Sequence, residues 1–518
     1  MCAAAARGAS SEAKYLRHDP EETLLYGTVE AQLPAFLARH HTRPVPHFVA
    51  QELRAFLRCG VLAHGFLRLR CDDCKLERLV PFSCKRRGFC PSCGGRRMAD
   101  TAAHLVDRVW PQVPVRQWVL TLPYPLRYRC AYDSKLTSEV LRAFLRALFA
   151  ELRRRIRRHT GLRAQQCGAV TFLQRFGSAM NLNLHFHTLA LEGAFVYEPN
   201  PNRRPEFIAL APPDGDDVAR VLAGTARRLR RLVEQRLENA DEDALARDEP
   251  LLAWLAQASL RTQIATGPEA GERWRRLGDR VEPTRASGSD ENDGRGVARH
   301  REMSLHAGVA VPANDRKRLE RLCRYAARPP IAHDRLTELD DGSGRLALRL
   351  KTRWRDGTTH ILMEPQDLID RLVPLIPSPR AHQVRYHGIL APGASLRSRV
   401  VPPNPVVSAP TSEGPTTSTE DGRDRERPGA RARRLRWAQL LQRVFAIDAL
   451  QCPRCGATLR LLAAIEDPAV ARAILDCIGS PARSPPQSEP TAYLEAEQTS
   501  EAEHAAPFDF DQSAPCQS

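Results

Sequence analysis

The sequence lacks any apolar run of the roughly 20 residues that a membrane-spanning helix needs. Residues 1–11 are rich in alanine but lack the apolar stretch of a signal peptide. The sequence also contains no internal repeat, which argues against a repeat architecture. We therefore expect a soluble, unexported, cytoplasmic protein that does not contact membranes, and in a bacterium one that associates with the nucleoid.

Positive charge, by contrast, is in excess. The 518 residues include 77 Lys and Arg against 61 Asp and Glu, a formal net charge of +16. A balance of this kind indicates a polyanionic partner, most commonly nucleic acid. We expect DNA as the partner, whereas the oligomeric state stays open.

Two histidines end a polar–apolar alternation over residues 181–187. Successive side chains of a β-strand point to opposite faces. One face of this strand would therefore carry only polar side chains, those of Asn181, Asn183, His185 and His187. Two imidazoles on one rigid strand suit a divalent metal, although a plain polar strand face fits the same pattern. The asparagines would then line the path of a nucleic acid.

Cysteines cluster in pairs rather than being scattered along the chain. Cys71-x2-Cys74 is followed after fifteen residues by Cys90-x2-Cys93, a spacing typical of four thiolates around a structural zinc ion. Three further residues lie beside this quartet and could complete a second site or exchange into the first: Cys59, His64 and Cys84. Cys452 and Cys455 form half a site, for which only Cys477 and Cys516 lie downstream.

Basic residues surround the cysteines. A metal that orders these loops would present them as one positive surface, so we expect DNA contacts from Lys85, Arg86, Arg87, Arg96 and Arg97. A second group of arginines, over residues 153–158, ends a helix whose apolar residues run from Val140 to Ile156. This group fits a solvated helix face and a phosphate contact equally well.

The order of patterns predicts an α+β protein in five segments. N-terminal helices and a zinc-binding domain occupy 20–108, and the main domain occupies 109–395. The latter contains a strand over 118–122, a hairpin of strands 169–176 and 181–187, and a loop over 269–299. A disordered linker (396–434), a C-terminal helix with Cys452 and Cys455 (435–479) and a disordered acidic tail (480–518) follow.

Four motifs in a fixed order resemble one known family. They are residues 82–93 (FSC…CPSC), 181–187 (NLNLHFH), 324–330 (RYAARPP) and 385–388 (RYHG). Together they resemble the rolling-circle transposases of the insertion-sequence 91 family and its common-region relatives, over most of residues 20–480. The resemblance implies a small zinc-binding domain followed by a nuclease domain of the HUH (His-hydrophobe-His) class. Such domains have an antiparallel sheet with helices packed on one face.

The same resemblance implies a reaction. His185 and His187 would bind Mg²⁺ or Mn²⁺, with Gln174 of the preceding strand as third ligand. Tyr325 would attack a phosphate of single-stranded DNA, leaving a 5′-phosphotyrosine that can later be rejoined. A tyrosine hydroxyl has an ordinary pKa of about 10 and needs nearby cations or a metal to become nucleophilic. Arg324 and Arg328 lie close in sequence and would also contact DNA.

The sequence departs from the family at two places. Founding members carry a second tyrosine one helical turn after the first, but here Pro329 stands four residues after Tyr325. One tyrosine would then act repeatedly, or each of two protomers would supply one. Gly88 and Phe89 stand where many relatives have a histidine, which argues against a second zinc ion.

Three other functions fit parts of the sequence. The first is a non-catalytic zinc-ribbon protein that binds DNA, and the second is a related relaxase or replication initiator. The third is a metal hydrolase that activates water at the histidine pair, but the sequence has neither the H-E-x-x-H nor the H-x-E signature of such enzymes.

Overall fold

The computed structural model describes residues 19–40, 42–162, 165–197, 205–237, 243–278, 296–300, 302–354, 356–402, 437–445 and 448–479. Within these ranges the α-helices are α1 (Leu24–Arg39), α2 (His47–Phe56), α3 (Pro91–Arg108), α4 (Tyr124–Tyr132), α5 (Ser134–Thr160), α6 (Gly215–Leu237), α7 (Ala244–Asp248), α8 (Pro250–Arg261), α9 (Arg316–Ala327), α10 (Asp367–Leu372), α11 (Arg397–Val400), α12 (Trp437–Phe445) and α13 (Pro468–Cys477).

The strands of the same ranges are β1 (Phe66–Cys71), β2 (Glu77–Pro81), β3 (Val115–Thr121), β4 (Gln165–Gln166), β5 (Gly168–Phe176), β6 (Leu182–Leu191), β7 (Gly193–Val196), β8 (Glu206–Ala209), β9 (Arg275–Gly278), β10 (Val297–His300), β11 (Met303–His306), β12 (Ala310–Val311), β13 (Leu336–Glu338), β14 (Leu346–Arg349), β15 (Thr358–Met363), β16 (Val384–Gly388) and β17 (Leu459–Ile465). None of the helices in these ranges combines the length and the apolar content needed to cross a membrane.

The central sheet carries the histidine strand in its interior. Its order is β10-β11-β3-β6-β5-β16, with β12 also paired to β3, and every pairing is antiparallel. Smaller antiparallel sheets have the orders β17-β1-β2, β13-β14-β15-β9 and β4-β7-β8. Helices mixed with antiparallel sheets make the fold α+β, as the sequence predicts.

The hairpin formed by β5 and β6 sets the register of the histidines. Gln174 lies opposite His185, and Phe172 lies opposite His187. The turn closes through a hydrogen bond from the Gly177 amide to the Asn181 carbonyl, 2.9 Å long. Because directly opposite residues share a face, Gln174 and both histidines point to the same side of the sheet.

Helices cover both faces of this sheet, not one as the resemblance implies. Leu184 and Phe186 of β6 pack in one core with α5 and α6. Phe172 and Leu189, on the opposite face, pack with apolar residues of α3 and α9. All of β6 is consequently buried. The polar face of the strand therefore lies under α9 and is not open to solvent. A DNA path along Asn181 and Asn183 would require this face to be open.

The C-terminal segment joins the N-terminal sheet instead of standing alone. Strand β17 pairs antiparallel with β1, from Phe66 opposite Ile465 to Cys71 opposite Leu459. Helices α1 and α2 share their core with α8, α10 and the sheet containing β13 to β15. The segment 20–108 thus has no separate core among the described residues.

Two predicted loops need correction or fall outside the described ranges. The predicted loop over 269–299 contains strands β9 and β10, which pair with β15 and β11; its residues 279–295 lie outside the described ranges. The predicted linker 396–434 includes helix α11 at its start, and residues 403–436 and the tail from 480 are likewise not described.

Candidate active site and cysteine clusters

The histidine pair lies deep beneath helix α9. Both side chains are only 4 % exposed, and their ring centroids are 4.8 Å apart. The Nδ1 atom of His185 lies 2.8 Å from the carbonyl oxygen of Asn183, to which it can donate. That bond leaves the Nε2 lone pair of His185 available to a metal, the arrangement usual for ligating histidines.

Both imidazoles are neutral at physiological pH. Burial lowers the pKa of His185 to about 4, against an opposing hydrogen bond to the Asn183 backbone and with a contribution from Arg328. Burial also lowers the pKa of His187 well below its ordinary value, with His185 and Arg328 adding to the effect. A neutral imidazole can ligate a metal, whereas an imidazolium cannot.

Gln117 of β3 holds the second ring of the pair. Its side-chain amide nitrogen is placed 2.7 Å from Nδ1 of His187. Amide nitrogen and oxygen exchange places on a half-turn of the side chain. With the oxygen at this position, Gln117 accepts from Nδ1–H and leaves Nε2 of His187 to serve as a ligand.

Gln174 completes a set of buried atoms that need a partner. Its amide nitrogen donates to the carbonyl of Ala326 over 3.4 Å. Its Oε1 atom and the Nε2 atom of His187 are buried without a hydrogen-bond partner among the described residues, as are both amide atoms of Asn183. Leaving such atoms unsatisfied is costly. One amide oxygen and two imidazole nitrogens fit a divalent cation that keeps further water or phosphate ligands.

Tyr325 stands on the last turn of α9, directly against the histidine pair. Its ring meets that of His187 edge-on, with centroids 5.8 Å apart. The guanidinium carbon of Arg328 lies 4.3 Å from the tyrosine ring centroid, and Nζ of Lys351 lies 4.4 Å from it. The structure therefore brings together the predicted nucleophile, both predicted histidine ligands, Gln174 and two cations.

Arg324, the other predicted arginine, points elsewhere. It donates to Glu320 over 2.7 Å and its side chain is only 15 % exposed. Glu320 also pairs with Arg443 of α12 at 2.7 Å. Arg324 is thus held in an ion-pair network, and a DNA contact by this residue stays a prediction.

The end of α9 explains why no second tyrosine can follow one turn later. The helix stops at Ala327, and Arg328 is extended, with φ −59° and ψ 153°. A residue before proline avoids the helical conformation because the proline ring crowds its backbone. Pro329 thus ends the helix where the second tyrosine of the family would stand.

The cysteines form two clusters that divide the predicted quartet. The first cysteine cluster contains Cys59, Cys84, Cys90 and Cys93. Its Sγ–Sγ distances include 3.4 Å between Cys84 and Cys93 and 3.6 Å between Cys59 and Cys93. Thiolates bound tetrahedrally at about 2.3 Å from zinc would be about 3.8 Å apart. The Cys59 and Cys84 positions, predicted only as additional ligands, thus belong with Cys90 and Cys93.

The second cysteine cluster contains Cys71, Cys74, Cys452 and Cys455, so the described residues offer two sites for zinc, contrary to the expectation from Gly88 and Phe89. Sγ–Sγ distances of 3.4 Å join Cys71 to Cys455 and Cys74 to Cys452. The two halves are alike, because each C-x-x-C turn is followed by a residue with positive φ, Lys75 at 60° and Gly456 at 78°.

The two remaining candidate ligands that the structure describes, His64 and Cys477, join neither cluster. His64 lies in a short turn after α2, and Cys477 is exposed on α13, both outside the two clusters of the described residues. Cys516 lies outside the described ranges. Cys71 and Cys74 lie at the turn between β1 and β2, whereas Cys90 and Cys93 stand at the start of α3, and the two pairs fall into different clusters.

The basic residues near the first cluster are partly engaged with the backbone. Arg97 donates to the carbonyls of Lys85 and Arg86, each over 3.1 Å. Arg87 donates to Ala381 in the segment before β16, also over 3.1 Å. Lys85, Arg87 and Arg96 are exposed. A DNA contact by this group is still a prediction, with Arg97 supporting the loop.

Gly94 connects the first cysteine cluster to the tyrosine segment. A Cβ atom added to Gly94 would lie 2.6 Å from Cβ of Pro329, closer than real side chains approach. The next residue, Gly95, has no such neighbour within 4 Å. Only the first of two adjacent helical glycines is therefore required by packing.

We expect Gly94→Ala to push the tyrosine segment away from α3 and to lower stability by about 1–3 kcal/mol, the usual cost of overpacking. Gly95→Ala is the matched control and should be neutral or stabilising by up to about 1 kcal/mol, because alanine favours a helix. Thermal unfolding of both full-length variants checks this prediction. Equal melting temperatures would contradict it.

Several residues at the site escaped the sequence analysis. Gln117 and Lys351 belong to no motif, and their sequence distance from Tyr325 gave no sign of contact. A polar residue inside the apolar strand VRQWVLT was the one available signal for Gln117. The C-x-x-C-Lys and C-x-x-C-Gly motifs form similar turns, and this similarity could have suggested that they share one metal site.

Comparisons with known proteins match two family models to the chain. Residues 28–122 match a family model described as a transposase zinc-binding domain, and residues 168–399 match one described as a putative transposase. Neither curated proteins nor solved structures match the chain. The zinc-binding match and the two clusters support structural zinc, and both domains imply DNA as the partner. With a transposase zinc-binding domain followed by a putative transposase domain, the chain matches an insertion-sequence 91-like transposase over these two ranges.

Proposed function

We propose that this transposase nicks and rejoins single-stranded DNA through a 5′-phosphotyrosine on Tyr325, as in rolling-circle transposition. One observation carries the proposal. In a buried, neutral histidine pair, His187 lies edge-on to a tyrosine that two cations flank. That arrangement joins a metal-binding pair, a nucleophile and charge stabilisation in one place.

The reaction consumes no cofactor. The Tyr325 hydroxyl oxygen forms a bond to phosphorus while the bond from phosphorus to the 3′ oxygen breaks. The tyrosine gives up one proton and the leaving 3′ oxygen gains one. Because a phosphodiester is exchanged for another phosphodiester, a free 3′ hydroxyl can reverse the step and join DNA ends without ATP.

The chain's own residues position and stabilise the reacting groups. His185, His187 and Gln174 would hold Mg²⁺ or Mn²⁺, which when bound polarises the scissile phosphate. Arg328 and Lys351 stabilise negative charge as it develops on the tyrosine oxygen and the phosphate. Gln117 orients His187, and the bond from Gln174 to Ala326 fixes the last turn of α9. These contacts reduce the reorganisation that in-line attack requires.

A single tyrosine must serve both cleavage events of such a reaction. Pro329 excludes a second nucleophile on the same helix face one turn later. Tyr325 therefore acts twice in succession, or the Tyr325 residues of two chains act together. Counting the DNA strands linked to one oligomer would separate these two schemes.

Zinc has a structural role in this proposal. Four thiolates leave no open position for a substrate on either cluster. The first cluster fixes the start of α3, which packs against Pro329 through Gly94. The first cysteine cluster would hold zinc, and the start of α3 that it orders supports the tyrosine segment at Pro329.

The proposal is tested by mapping the covalent link. Full-length, zinc-loaded protein is incubated with a random pool of single-stranded oligonucleotides and Mg²⁺ or Mn²⁺, then digested with nuclease and protease. We expect mass spectrometry to find a nucleotide attached to the peptide that contains Tyr325. A chelator should prevent its formation. No adduct with either metal, or a link through another residue, would overturn the proposal.

A further inference from the structure

A concave groove lies between helix α5 and the edge strand β16. Its volume is about 520 Å³, within the range of ligand-binding clefts. It opens on the sheet face opposite the histidine pair, because Arg385 and His387 of β16 lie opposite Thr171 and Ala169 of β5. We name it the arginine groove, after the basic residues that line it: Arg142, Arg146, Arg153 and Arg385.

Helical spacing places three of these basic residues, Arg142, Arg146 and Arg153, on one face of α5. Arg142 and Arg146 are four residues apart, and Phe149 and Arg153 continue the same face. Leu141, Leu145 and Phe149 supply the apolar part of the lining. The groove therefore combines an apolar floor with a cationic rim.

The charge of the groove is not balanced by protein groups. Its lining contains no Asp or Glu. Among the described residues, Arg142 and Arg146 form no ion pair, and Arg385 donates to the Ser138 hydroxyl over 2.8 Å rather than to a carboxylate. Like charges around a concavity repel one another and raise the local concentration of anions. The groove thus favours an anionic occupant.

Neighbouring arginines of the same helix behave differently. Arg154 and Arg155 each pair with Asp217 at 3.1 Å, and Arg154 also pairs with Glu151. These two residues join α5 to α6. From the sequence, these arginines fit a solvated helix face and a phosphate contact equally well. In the structure Arg154 and Arg155 form ion pairs between helices, whereas Arg153 faces the groove.

The Arg-Tyr-His-Gly motif now has a structural explanation. Gly388 has φ +60°, and an added Cβ would collide with the carbonyl oxygen of Cys167. That glycine ends β16 at the groove wall. Nε2 of His387 is buried without a partner among the described residues. A ligand in the groove could satisfy this atom.

We propose that the arginine groove binds a segment of single-stranded DNA, with phosphates on the arginines and bases against Phe149, His387 and the leucine floor. An apolar floor accepts exposed bases, which single strands offer and duplexes do not. The strand would be the substrate of the proposed function. Thr171, opposite Arg385, is three residues along β5 from Gln174, so the groove, on the other face of the sheet, is displaced by about 10 Å along the strand from the metal-binding set.

The test compares two double variants of the full-length, zinc-loaded protein. Arg142→Gln with Arg146→Gln removes groove charge, and Arg157→Gln with Arg158→Gln removes equal charge from exposed positions of the same helix outside the groove. The probes are an oligothymidine of about 20 nucleotides, longer than one such site, and a duplex of equal length. Binding is measured by fluorescence anisotropy over a range of salt concentrations.

We expect the groove variant to bind the oligothymidine about tenfold more weakly, with a salt slope smaller by roughly 1.4, that is, about 0.7 for each lost phosphate contact. The control variant should stay within about twofold of the unmodified protein for both probes. An unchanged affinity in the groove variant would overturn the inference. An equal loss for duplex, or displacement by polyglutamate as effective as by oligothymidine, would also overturn it.

The two proposals can fail separately. If Tyr325 forms no adduct but the groove variant loses affinity for the single strand, only the proposed function falls. If the adduct forms normally with Tyr325 and the groove variant binds the single strand normally, only the groove inference falls.

Discussion

Tyr325→Phe is expected to abolish covalent adduct formation and to lower the rate of strand cleavage by more than about 1,000-fold, since it removes the attacking oxygen. The aromatic ring remains, so its contacts with His187, Arg328 and Lys351 should persist. Affinity for single-stranded DNA should therefore stay within about twofold. Denaturing gels of the protein with labelled DNA measure adduct and cleavage, and anisotropy measures binding.

Tyr197→Phe is the matched control. Tyr197 follows β7, in a different sheet from the histidine pair, and its loss should leave cleavage unchanged. If Tyr325→Phe still cleaved DNA without an adduct, the nucleophile would be water and the protein a metal hydrolase. If it kept every DNA function, the reading as a non-catalytic DNA-binding protein would be favoured.

Cys452→Ser combined with Cys455→Ser is expected to lower the zinc content from about two ions per chain to about one. Both residues belong to the second cysteine cluster, and two remaining thiolates bind zinc too weakly to retain it through purification. The pairing of β17 with β1 should loosen as well, because the metal fixes the turns beside these strands. Elemental analysis gives the stoichiometry, and limited proteolysis of residues 437–479 reports the loosening.

The control for this experiment is Cys477→Ser, an exposed cysteine outside both clusters. It should retain about two zinc ions. If the Cys452 and Cys455 double variant kept the zinc content of the unmodified protein, the single site of Cys71, Cys74, Cys90 and Cys93 that the spacing predicts would be favoured instead.

Local patterns predicted the parts of this fold that local physics determines. The alternation before His187 predicted a strand, and the short polar stretch after Phe176 predicted a hairpin, because both depend on neighbours in sequence. Each C-x-x-C pair likewise predicted a turn with two ligands. Which turns share one cluster depends on the tertiary structure, since β1 pairs with β17, a strand in a segment more than 370 residues away.

The catalytic surroundings show the same division. The helix end at Pro329 follows from the sequence, whereas Lys351 reaches Tyr325 only through the packing of distant elements. The ion pair of Arg324 could be predicted, because Glu320 stands four residues earlier on the same helix face. Nothing local distinguished Arg142 and Arg146 from other surface arginines, because the groove exists only once β16 lies beside α5.

The second cysteine cluster also sets the earliest time at which this protein can finish folding during its synthesis. Cys455 is synthesised 384 residues after Cys71, which at about 5–20 residues per second is an interval of roughly 20–80 s. Until then β1 has only β2 beside it, and its other edge lacks a partner strand. A truncated mRNA that ends before the last C-x-x-C motif therefore yields a chain in which β1 never gains its second partner strand.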